Sequence, residues 1–215
     1  MPCIHEGEPR PLKLRRKAVT AIIDIPTFEQ WVDWVFTGPE PEFDQLWDDT
    51  LNRVVDWQLD YATTLFSAPS FLLGSYSTQA LRDGFWSLPN AWDLRDRIWD
   101  QGLAWERREA CLRAMYFLFR DLFARNPLED TCHMWWDLLR YFGDDPDPRV
   151  IETQLSVLGQ ILSLPDEECQ GAALHGLGHI THEGKADLIA EFLSRPGVNE
   201  ELRTYARNAL TGDVL

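Results

Sequence analysis

Three histidines near the end of the chain have the types and spacing that could do chemistry: His175, His179 and His182. Intervals of i, i+4 and i+7 place all three on one stripe of an α-helix. Imidazoles so placed invite a metal ion, and with a distant carboxylate His175 and His179 would make a metal-dependent hydrolase. Helix rise limits the idea, because His175 and His182 would stand about 10.5 Å apart along the axis. A tetrahedral zinc with bonds of about 2.0–2.1 Å accepts two adjacent imidazoles and strains to reach the outer pair. The HExxH pattern fails because Gly176 follows His175, and the position one turn before His175 is Gly171. The plainer expectation is a packed helix with no metal and no other cofactor. His175 and His179 would then donate hydrogen bonds to a neighbouring turn.

Other chemical constellations are weaker. Cys132 and His133 are adjacent, so on a helix they diverge by about 100° and do not form a thiolate–imidazole pair. The chain has no G-x-S-x-G elbow, P-loop or G-x-G-x-x-G. Asp144, Asp145 and Asp147 lack the glycine and closing glutamate of a calcium loop and read as an acidic turn. The four cysteines are widely separated, which suits buried thiols in a reducing cytoplasm. These observations argue against an enzyme.

Charge points elsewhere. The 215 residues carry a formal charge of −15. The first twenty are basic, with five basic side chains (Arg10, Lys13, Arg15, Arg16, Lys17) against two acids, so the rest of the chain carries −18. Such a body repels phosphate backbones and attracts basic proteins. From Glu40 to Asp60 there are seven acids against one base, Arg53, and tryptophans lie in or beside the segment. Trp31, Trp34, Trp47, Asp48, Asp49, Asp56 and Asp60 are therefore the candidate partner-binding residues, aromatic anchors ringed by acid. The competing expectation is that the tryptophans are core and the acids a solvated helix face.

The elements that must position these residues read as helices throughout. Thr27 with Gln30 forms a capping box for a helix ended by Gly38 and Pro39. A long apolar stripe predicts a helix over 43–66, and a second long one spans 103–125. Shorter helices are expected from Ser75 or Ser77 to Trp86, over 92–99, from an Asp130 or Thr131 cap to Phe142, and over 148–164, 166–182, 185–194 and 199–211. Organisation follows as an irregular arm over 1–26, a helical region over 27–143 and a second over 144–215, in one continuous domain. The basic arm and the short apolar run after it do not make a signal peptide, and no apolar run reaches the roughly 20 residues of a membrane span.

The last third resembles bacterial HEAT-like repeat proteins. The likeness rests on Ala172-Ala173-Leu174-His175-Gly176-Leu177-Gly178-His179 and on Arg203-Thr204-Tyr205-Ala206-Arg207-Asn208-Ala209-Leu210. The stretches Gln79 to Trp86 and Met134 to Asp137 look like uncharacterised bacterial proteins with the same C-terminal block. The resemblance implies an all-α fold of antiparallel helix pairs stacked as a short solenoid, with one face free for a partner. Some similar proteins are immunity proteins that bind and block a toxin. The resulting expectation is a soluble cytoplasmic protein that binds a basic toxin domain, and no nucleic acid or membrane. A scaffold in a bacterial complex is the alternative outside catalysis.

Overall fold

The computed structural model describes residues 25–38 and 57–214, and every described element is helical. Trp47, Asp48, Asp49 and Asp56 lie outside the described residues, as do the 1–24 arm and the first part of the expected 43–66 helix. Ten α-helices are described: α1 (Phe28–Thr37), α2 (Trp57–Ser67), α3 (Thr78–Ser87), α4 (Leu94–Trp99), α5 (Trp105–Leu118), α6 (Asp130–Leu138), α7 (Pro148–Ile161), α8 (Glu167–His179), α9 (Lys185–Ser194) and α10 (Glu200–Thr211). The described residues contain no β-strand, only an isolated bridge between Leu73 and Tyr76.

Local sequence explains most helix starts. Thr27 and Gln30 form the expected reciprocal capping box on α1. Ser77, Asp147, Asp166 and Asn199 each accept a hydrogen bond from a first-turn amide of α3, α7, α8 and α10 that has no partner within its helix. Gly212 ends α10 in the left-handed conformation. Three expectations shift. The 103–125 helix is α-helical only to Leu118, then passes through a π turn over Phe119–Phe123. Asp130 is inside α6, without a side-chain cap, and follows Leu128 and Glu129 at positive φ; α6 then stops at Leu138, short of Phe142. α8 stops at His179, so His182 leaves the helical stripe.

One hydrophobic core runs through all ten helices. In its middle the rings of Phe66, Phe85, Phe123 and Trp135 meet edge to face at 5.6–6.1 Å. Helix α2 packs on α5, and α5 packs on α7. On the other side α6, α8 and α10 lie side by side, with α7 also against α8. Glycine permits the closest of these approaches. A Cβ on Gly176 would fall 2.8 Å from Cγ of Trp136 and 3.0 Å from Leu158, and one on Gly178 would fall 2.2 Å from Val214. Gly176 thus brings α8 hard against α6 and α7, and Gly178 brings it against the segment after α10.

An ion pair joins the two regions on either side of the acidic turn. Arg108 on α5 is fully buried and donates to Asp147 at 2.9 Å and to the Ile98 carbonyl at 3.2 Å. Asp147 also receives Arg149, and the Trp105 ring lies beneath both guanidinium groups. The acidic turn expected here caps α7 through Asp147, and that residue is 3% exposed. The paired guanidinium groups hold its carboxyl at about 2, the Arg149 hydrogen bond being the largest cause.

Candidate functional site

Two helices one turn deep in contact build a cluster of imidazoles and a carboxylate. His175 and His179 sit one turn apart on α8, and His133 and Asp137 sit one turn apart on α6. Gly176 faces Trp136, so the two stripes meet. Nε2 of His179 lies 3.2 Å from Nε2 of His175 and 3.4 Å from Oδ1 of Asp137. Tyr205 from α10 closes the far side, its hydroxyl 2.7 Å from Nδ1 of His175 and 3.3 Å from Nε2 of His133. The tautomers that satisfy these contacts have His175 Nδ1–H donating to the Tyr205 oxygen and the Tyr205 hydroxyl donating to His133. That leaves the His175 Nε2 lone pair pointing at His179 and Asp137.

Burial disfavours the charged form of all three rings. Burial, with His133 and His179 adding to it, lowers His175 to about 4. Burial also lowers His133 and His179, although Asp137 pulls His179 the other way. Arg140, one turn beyond Asp137, places Nη1 3.4 Å from Nδ1 of His179 and 4.0 Å from Asp137. Asp137, His175 and His179 are the one set of three metal-capable side chains found among the described residues, with ligand atoms all within 4.8 Å. His182 is not part of it; it pairs with Glu152 at 2.9 Å and caps the Gly184 amide.

The sequence-level reading missed Asp137, His133 and Tyr205 as companions of His175 and His179. Their one signal was the four-residue interval between His133 and Asp137, which places both on one helix face. The expected contact with a neighbouring turn is made between the two histidines themselves, His179 Nε2 lying 3.2 Å from His175 Nε2, while Tyr205 on α10 and Asp137 on α6 supply the partners from other helices.

The aromatic and acidic candidates separate. Trp31 is 1% exposed, packed against Phe28, Tyr61 and Trp92, so it is core and cannot anchor a partner. Trp34, three residues on, is 51% exposed. Asp60 is exposed and forms an ion pair with Arg107. Trp86 was not singled out, yet it is 44% exposed. Trp34 lines a groove of about 350 Å³ between α1 and α3, and Trp86 lines an adjoining groove with Glu129 and Asp130. Asp83 borders both grooves. Arg82 sits in the second one, held by Glu129 and Asp83.

No family model matches the chain, and neither a curated protein nor a solved structure matches it significantly. No helix among the described residues is long and apolar enough to cross a membrane.

Proposed function

We propose that this is a cytoplasmic helical binding protein that holds a basic protein partner against its α1–α3 face, and that neutralising a toxin domain is the specific form of that role. The observation that carries the reading is the pair Trp34 and Trp86, both exposed, in two grooves that share Asp83. Exposed indoles beside carboxylates suit arginine and lysine side chains, which stack on the ring while their charge meets the acid. The chain's charge of −15 supports a basic partner and a fast encounter. A HEAT-like stack is part of the proposal; it is supported by the row α6, α8, α10 lying beside the pair α5, α7.

The experiment is a calorimetric titration of the purified chain with the product of the gene immediately upstream, at low and at physiological salt. Binding at micromolar concentration or tighter is expected, weakening with salt and by about tenfold in Trp34→Ala and in Trp86→Ala. Absence of binding at micromolar concentration and low salt would remove the reading, as would binding indifferent to both substitutions.

A further inference from the structure

We infer that Asp137, His175 and His179 form a binding site for a divalent transition metal of the zinc type. The inference stands apart from the docking of a protein on α1–α3, since it uses other helices and another face of the chemistry.

Donor spacing is the first argument. Tetrahedral zinc with bonds of about 2.0–2.1 Å requires donor atoms about 3.3–3.4 Å from one another. The two Nε2 atoms are 3.2 Å apart, and His179 Nε2 is 3.4 Å from Asp137 Oδ1. Two edges of the coordination tetrahedron are therefore already close to size, and the third pair lies within 4.8 Å. Two imidazoles and a carboxylate from two rigid helices make a three-ligand set of the kind that leaves a fourth position for water.

Orientation is the second. A metal-bound imidazole gives its other ring N–H to an acceptor, which fixes the ring and aims the lone pair. Tyr205 plays that part for His175 at 2.7 Å, and is itself oriented by His133. His175 is 3% exposed and so has little freedom to turn away. Entry is possible from the other side, where the side chains of His179 and Asp137 are 19% and 33% exposed. Metal on His179 Nε2 puts the proton on Nδ1, and Arg140 would then give up its contact there. Its side chain is 46% exposed and has Asp137 within 4.0 Å as the alternative partner. Imidazole with carboxylate selects zinc, or cobalt and nickel as substitutes, over magnesium and calcium.

The test uses the full chain, stripped with a chelator and titrated with zinc, and with cobalt for its visible spectrum. One equivalent is expected to bind with micromolar affinity or better, and cobalt to show the intense bands of a tetrahedral site. His179→Ala and Asp137→Asn, both partly exposed positions, should each weaken binding at least tenfold with unchanged helical circular dichroism. His182→Ala should leave it unchanged, and Tyr205→Phe should weaken it by about 10–100-fold as an outer-shell partner. In the unaltered chain, zinc should protect the partly exposed His179 from diethylpyrocarbonate and spare the reaction of His182. No binding at 100-fold stoichiometric excess of zinc overturns the inference. So does binding that survives both ligand substitutions, binding lost with His182, or zinc that leaves His179 unprotected.

Discussion

Asp147 shows how much one side chain carries in this protein. It is buried between Arg108 and Arg149, and those two guanidinium groups hold its carboxyl at about 2, below the ordinary 3.8. A carboxyl with a depressed folded-state pKa contributes stability that is complete above its unfolded pKa and is lost as pH falls through the folded one. The contribution is about 2 kcal/mol at neutral pH and should disappear between about pH 4 and pH 2. Asp147→Ala leaves Arg108 buried without its carboxylate and should cost about 3–5 kcal/mol at pH 7. Urea unfolding at pH 7, 4 and 2 checks both, because the gap between the two proteins should narrow as the pH drops. Such residues were hard to read in sequence. Asp147 sits in a run of acids that looks solvated, and nothing local announces a guanidinium 39 residues earlier. The same holds for Asp137. Its interval from His133 was visible, but its pairing with α8 depends on which faces of two helices meet.

At the scale of the element, glycine decides how close α8 comes. Gly176→Ala would gain about 1 kcal/mol of helix propensity. It would also put a methyl 2.8 Å from the Trp136 ring and 3.0 Å from Leu158, and overpacking of this kind costs about 1–3 kcal/mol. Trp136 is 4% exposed and packed on Phe119, so it has little room to yield. The expected outcome is a net loss of about 1 kcal/mol, seen as a lower thermal midpoint. Caps and stripes made most helices legible, as Thr27 and Ser77 show. Where apolar residues surround the axis, periodicity says nothing. Leu118, Phe119, Leu122 and Phe123 are all buried, which hid the switch from α to π geometry after Leu118. The start of α6 was legible to within a residue or two, but its entry, with Leu128 and Glu129 at positive φ without glycine, was not.

For the whole molecule, the boundary expected at residues 143–144 is crossed by the core and by the Arg108–Asp147 pair. The described regions should therefore unfold together. Far-ultraviolet circular dichroism and tryptophan fluorescence should trace the same denaturant curve, where separate regions would give two midpoints. The all-helical class was legible because every patterned segment had the 3.6-residue period. The spatial grouping of acids and tryptophans was not, since Trp31 and Trp34 differ by three residues and end on opposite sides of the protein–water boundary. That division has an optical consequence. Trp31 and Trp135 are sealed from water and should emit at short wavelength, shielded from acrylamide. Trp34 and Trp86 are exposed, so their emission should be redder and open to quenching. The protein carries its own dye on the face where a partner would land, and a blue shift with lost quenching would report the landing without any label.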